Sequence, residues 1–295
     1  MARNPWRLAV FLALAYGGSI ALGIGVKLGG LAWEGLTAMV LGVLLMYTPA
    51  AGALVANRLS GRGWWEGLGA RPLLSRWLLV GSAAGLSVGL LATGLGLLLP
   101  GTSLDLTGSE AVLERFGSLI PADQHDQVRA QVKALPVHPF LLSIPQAIAA
   151  GLTINALAAF GEELGWRGFL QRELAPLGFW RGSLLTGLLW GFWHAPVILA
   201  GHNYPDHPVP GVFLFALFCV LISPVHSWVR LRSGTVWGAA IVHGTLNAAG
   251  GLAYLVTLGG SDLLVGVAGV AGVGAAAVTA LGVAIVQRGR PVEEA

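Results

Sequence analysis

Apolar runs long enough to cross a lipid bilayer recur along the whole chain, at 8–26, 36–56, 77–99, 139–160, 183–199, 211–229, 236–258 and 263–286. A helical crossing takes roughly 20 such residues, because each adds about 1.5 Å and the hydrocarbon layer is about 30 Å thick. Backbone amides left unpaired in lipid are costly, so the runs must be helices. The expectation is an all-α polytopic membrane protein, a bundle of about eight transmembrane helices, with residues 1–295 as a single membrane domain. Composition agrees, since 55% of residues are hydrophobic and only 11% are charged. In a soluble chain a net charge of +3 would raise the question of nucleic acid. Here the arginines sit in short loops between apolar runs, so the bilayer is the expected partner and nucleic acid is not.

The charges also orient the bundle. Arg3, Arg7, Arg58, Arg62, Arg71, Arg76, Arg167, Arg172, Arg181, Arg230, Arg232, Arg288 and Arg290 fall on one side of the expected crossings. Only Lys27, Arg115, Arg129 and Lys133 fall on the other, together with Asp105, Glu110, Glu114, Asp123 and Asp126. Basic loops stay in the cytoplasm, so both termini are expected there, in a multi-pass protein of the cell membrane. Arg3 and Arg7 ahead of an apolar run have the look of a signal peptide. The run continues to Val26, however, as a membrane anchor does. The long polar connection 101–138 is then extracytoplasmic. Its Val112, Leu113, Phe116, Leu119 and Ile120 suit an amphipathic helix that lies on the outer surface or caps the bundle. The single cysteine, Cys219, lies in an apolar run and reads as a core position.

Against this background Glu162 and Glu163 stand out, side by side at the end of an apolar run. An ionisable side chain at the bilayer centre costs roughly 2.5 to 3.5 kcal/mol, so such groups face the protein interior and serve a purpose. Glu163 and Arg167 are four apart, the spacing and order that favour an ion pair on a helix. Glu162 is turned about 100° away and is left free as an acid or base. The plainer alternative is a charge cluster at the cytoplasmic interface, with Glu162 solvated.

Two later runs each carry a histidine. His194 lies in an aromatic stretch between Trp190 and Pro196, and reads either as an interhelical hydrogen bonder or as a catalyst. His243 and Asn247, four apart, present an imidazole and a carboxamide on one face, where both can donate to a developing oxyanion. Gly244 between them permits close approach of a neighbouring helix. His226, close to Arg230 and Arg232, reads as interfacial, and His125, His138, His202 and His207 as solvated. The Asp206, His202 and His207 group lacks a recognised metal-ligand spacing.

Glu162-Glu163-x-x-x-Arg167, then His194 in an aromatic helix, then His243-x-x-x-Asn247, in that order, resembles the family of type II CAAX prenyl proteases and bacteriocin-processing enzymes, also called Abi or CPBP. The resemblance covers about 149–250. It implies an intramembrane endopeptidase in which Glu162 and His194 activate the attacking water and His243 and Asn247 stabilise the oxyanion. Glu163 and Arg167 would hold the first glutamate in place. The substrate would be a membrane-embedded peptide or lipidated protein, and no cofactor is implied. The family's second motif usually begins with Phe, whereas this chain has Trp190, an aromatic in a supporting position.

Three other readings stay open. A zinc-dependent version of the same protease would use Glu162, His194 and His243 as a His2Glu site, although there is no His-Glu-x-x-His helix. A transporter would use the same groups as a proton relay, and would be expected to show interrupted helices in corresponding halves. A non-catalytic immunity protein would use them only to hold the bundle together. The charge count places the glutamates toward the cytoplasmic end of their helix, so water and substrate are expected to enter from that side.

Overall fold

The computed structural model describes residues 5–289 except 32, 34 and 73. Three long helices come first, α1 (Pro5–Gly29), α2 (Gly35–Leu59) and α3 (Trp77–Gly96). The polar connection carries β1 (Thr102–Leu104), α4 (Ser109–Phe116) and α5 (His125–Lys133). Then come α6 (Pro139–Leu152), α7 (Ile154–Glu163), a π-helical stretch Leu164–Leu170 and α8 (Gln171–Leu174). The rest comprises α9 (Phe179–Trp193), α10 (Ala195–Ile198), α11 (Pro208–Ser233), α12 (Val236–Ala249), β2 (Thr257–Gly259) and α13 (Val270–Gly289). Among the described residues the only strands, β1 and β2, form one short antiparallel ribbon with Thr102 opposite Gly259. The all-α expectation holds.

Five helices, α1, α2, α3, α11 and α13, have the length and apolarity to cross a bilayer, and the bent α6–α7 pair makes six if it is one crossing. The chain is a multi-pass membrane protein. The count of about eight also needs α9 and α12, which have only 15 and 14 residues, fewer than the roughly 20 a crossing takes. α9 stops at Trp193 because Pro196 follows, and the chain restarts as α10 with proline in its first turn. α12 stops at Ala249, and the stretch expected to prolong it to 258 is a 3-10 turn followed by β2. The expected helix 139–160 is bent by 51° at Thr153, whose φ of −124° and ψ of −105° leave the helical region. The Thr153 hydroxyl donates to the carbonyl of Ala149 at 2.7 Å, satisfying an acceptor near the break. The last helix starts at Val270, later than the expected 263.

Side chains such as Leu28, Leu79, Phe213 and Leu281 are exposed on the helix flanks. Such surface suits lipid, where it has nothing to gain from further burial. Inside, small residues bring backbones together, and Gly244 does so at the centre. A Cβ there would sit 2.6 Å from the amide nitrogen of Ala156, so α12 lies directly against α7.

The two ends of the bundle differ as the charge pattern expects. At one end Arg7 pairs with Glu173 at 2.8 Å and donates to Asn57 at 2.9 Å, while Arg172 donates to the same Asn57 oxygen and to the Glu66 carbonyl. Thr235 donates to the Arg71 carbonyl there. Arg3 and Arg290, counted on this side, lie outside the described residues. At the other end the β1–β2 ribbon joins the connection to the loop after α12, and the Gly259 amide donates to Glu114 at 2.9 Å. Asp105 organises this end, accepting from the amides of Glu110 and Ala111 at the start of α4 and from Thr107. Burial of its carboxyl opposes ionisation, but these amide donors outweigh burial and hold it at about 2. The loop histidines are less solvated than expected. His138 caps α6 by accepting from Phe140, His125 lies 3.1 Å from the carbonyls of Gly117 and Ile120, and His207 pairs with Asp262 at 2.6 Å.

Candidate active site

Glu162 and Glu163 end α7, yet the helical path continues through the π stretch into α8, so the pair lies mid-helix and both side chains are buried. π turns are rare and occur often at functional sites. Here the turn carries Arg167, which donates to Glu163 Oε1 at 3.1 Å and to the Ser223 hydroxyl at 3.0 Å. The Arg167 guanidinium also lies 4.5 Å from the centre of the Trp190 ring. Glu162 turns the other way. Its Oε2 accepts from the Trp190 indole N–H at 2.5 Å, and its Oε1 lies 4.0 Å from His243 Nε2. The two carboxylates therefore differ in their main partners, Trp190 for Glu162 and Arg167 for Glu163, while His243 lies between them. Interfacial solvation does not apply, since Glu162 is 3% exposed and Glu163 0%.

The hydrogen bonds fix which histidine nitrogen is free. His194 Nδ1 lies 2.9 Å from the Trp190 carbonyl, which only accepts, so Nδ1 carries the proton and Nε2 is left for the cavity. His243 Nδ1 faces Glu163 Oε1 at 2.8 Å. An ionised carboxylate likewise only accepts, so Nδ1 donates and Nε2 turns toward Glu162. Asn155 donates its side-chain amide to the Gly244 carbonyl at 3.2 Å, tying α7 to the helix that carries His243.

His226, expected at the interface, is fully buried instead. α11 continues to Ser233, about two turns beyond His226, which draws it into the bundle. Its ring packs 5.5 Å from Trp190 and 5.7 Å from His243. The one signal for it in the sequence was a histidine on an otherwise apolar helix face.

A cavity of about 490 Å³ joins the expected residues. Glu162, Trp190, His194, His243 and Asn247 all line it, with Phe215 and Phe218 as apolar wall. Arg115, Phe116, His202, Asn203 and Tyr254 line it as well, and these belong to the connection and loops at the arginine-poor end. Entry from the arginine-rich end is therefore not what the cavity provides. Sequence reasoning missed Arg115 and Tyr254 because only the fold brings the connection over the site. The guanidinium of Arg115 stacks on the Tyr254 ring at 3.9 Å.

The residues first considered for zinc, Glu162, His194 and His243, do not form a compact ligand set. Among the described residues, the ligand atoms of Glu163, His226 and His243 lie within 4.8 Å of one another. Glu163 Oε2 and His226 Nε2 have no hydrogen-bond partner, which suits a ligand role. Arg167, however, places a full positive charge 3.1 Å from Glu163, where it opposes a dication. This set fits zinc poorly.

Residues 144–249 match the model of the type II CAAX prenyl endopeptidase Rce1-like family. All the cavity-floor residues named above fall inside that match. The chain is also 41% identical over 54 residues to CAAX prenyl protease 2 of Methanococcus maripaludis. Those residues are 18% of this chain and span only 20% of the length of that relative. The matched stretch 144–249 is thus the part with a known likeness, while α1–α3, the connection and α13 lie outside it.

Proposed function

We propose that this protein is an intramembrane endopeptidase that hydrolyses a peptide bond of a membrane-embedded or lipidated substrate, with Glu162 as the base. The observation that carries this reading is the single cavity in which Glu162, His194, His243 and Asn247 meet inside an Rce1-like core.

In the proposed reaction a water held between Glu162 and His194 Nε2 gives a proton to Glu162 as its oxygen attacks the scissile carbonyl carbon. The carbonyl oxygen becomes an oxyanion, which accepts from the Asn247 side-chain amide and from His243 Nε2–H. Donation from Nε2 requires the His243 ring to carry both protons, with Glu163 receiving the one on Nδ1. Collapse of the intermediate breaks the C–N bond, and Glu162 returns its proton to the leaving amine. The products are a carboxylic acid and an amine, and the acid's proton passes to the amine or to water on release. Trp190 fixes the other oxygen of Glu162 throughout.

Zinc would supply a polarised water in place of the carboxylate base, but the Arg167 charge beside its best ligand set favours the metal-free route. The test is turnover of prenylated C-terminal peptides and a general quenched-peptide library by purified protein in lipid nanodiscs. Turnover that persists after strong chelation supports Glu162 as base. Loss on chelation that zinc alone restores overturns it.

A further inference from the structure

At the arginine-rich end of the bundle two guanidinium groups meet in a cleft that no carboxylate lines. We propose that this cleft, formed by Arg172, Arg230 and the first turn of α9, binds a phosphate group, carried either by a free anion or by a lipid headgroup. The cleft is separate from the reaction cavity, with which it shares no lining residue.

The charges are the first observation. Arg167, Arg172 and Arg230 are the charged side chains on the wall of the cleft, which has a volume of about 120 Å³. Arg167 is neutralised by Glu163 at 3.1 Å. Arg172 donates to Asn57 and to the Glu66 carbonyl, and its carboxylate neighbour Glu173, at 3.7 Å, lies closer to Arg7, at 2.8 Å. Arg230 has no ion-pair partner among the described residues, its Nε is buried without a hydrogen bond, and the charge that acts on it is that of Arg172. Two cations held side by side repel, and an anion between them removes that cost. The loop before α3 is shaped to hold them there. Gly67 and Gly69 both have positive φ, and a Cβ at Gly67 would collide with the Arg172 guanidinium and one at Gly69 with that of Arg230. Only glycine leaves the two heads their places.

Backbone donors are the second observation. The N-cap of α9 is Gly178, which offers no side chain to cap the helix, so the amides of the first turn stay open. Gly178, Phe179 and Ser183 line the cleft, and a helix N-terminus carries partial positive charge. Open amides beside arginine forks form the donor set that a phosphate group takes. A single water needs roughly 10 to 15 Å³, so a group of four oxygens fits.

The test is thermal unfolding of the purified protein in maltoside micelles and phosphate-free buffer, at constant ionic strength. The probes are inorganic phosphate and, separately, phosphatidic acid mixed into the micelles. Wild type should show a saturable rise in melting temperature, because a ligand that binds only the folded state stabilises it. Saturation by inorganic phosphate alone assigns a free anion to the cleft, saturation that needs phosphatidic acid assigns a lipid headgroup, and a response to both shows that the phosphate group itself is held. Arg230→Gln removes the unpaired fork, so apparent affinity should fall about tenfold or more. Arg230→Lys keeps the charge without the fork and should fall between the two. Arg76→Gln removes an equal charge at an exposed position outside the cleft and should bind as wild type does. The proposal is overturned if neither probe gives a saturable response, if Arg230→Gln binds as wild type does, or if Arg76→Gln loses as much as Arg230→Gln. Should Arg230→Gln not accumulate, Arg230→Lys decides by the same comparison. Binding needs no turnover, so this site stands or falls apart from the proteolytic reading.

Discussion

Trp190 stands where the family's motif usually has phenylalanine, and its indole N–H is the group that holds Glu162. A hydrogen bond to a charged group is worth about 1.5 to 3 kcal/mol. Trp190→Phe keeps an aromatic ring but removes the donor, so kcat should fall roughly 10- to 100-fold with KM little changed. A kcat within a factor of about two of wild type would show that Glu162 is positioned by other means. Arg167 is held differently, since it neutralises a carboxylate in a fully buried pair. Arg167→Met leaves Glu163 uncompensated and should lower stability by about 3 to 5 kcal/mol, measured as denaturant unfolding in detergent. The double variant Arg167→Met with Glu163→Gln should recover part of that loss, and strictly additive losses would contradict the pairing. The separate roles of Glu162 and Glu163 were legible in their spacing alone. The burial of His226 was not, because Arg230 and Arg232 a turn later look like the end of a helix that in fact runs on.

The elements were legible in type more than in extent. Hydropathy located every long helix, but the bend at Thr153 carried no proline beside it, only Gly151 two residues earlier, and the shortness of α12 depends on Gly250 and Gly251 turning the chain. Packing between elements leads to two further outcomes. Gly244→Val places a side chain where a Cβ would already stand 2.6 Å from the Ala156 amide, so α7 and α12 must part. Overpacking of this kind costs about 1 to 3 kcal/mol, and activity should fall further because His243 moves from Glu163. Retained activity with unchanged stability would deny the close contact. At the arginine-poor end, Asp105 is ionised down to about 2 in the folded protein, against about 3.9 in an unfolded chain. Its contribution is therefore complete above the unfolded value and is lost as pH falls toward 2. The protection of the α4 amides from hydrogen exchange, relative to an unfolded chain at the same pH, should fall between about pH 4 and pH 2 in wild type. Asp105→Asn should lack that step and lose about 1 kcal/mol of local stability at neutral pH. Identical exchange profiles would remove Asp105 as the cap.

For the whole molecule, the ordered motifs pointed to the same family whose model matches residues 144–249, and the basic residues were enough to divide the two ends of the bundle. The direction of the cavity was not legible, because it depends on the connection folding over a site more than thirty residues away in sequence, joined through the β1–β2 ribbon. The proposed chemistry turns on one carboxylate, Glu162. The most direct measurement compares peptides in native membranes carrying wild type or Glu162→Gln at matched protein levels. Peptides that accumulate uncleaved in the Glu162→Gln membranes, and are cut when wild type is restored, are the expected result. Indistinguishable peptide profiles would contradict it.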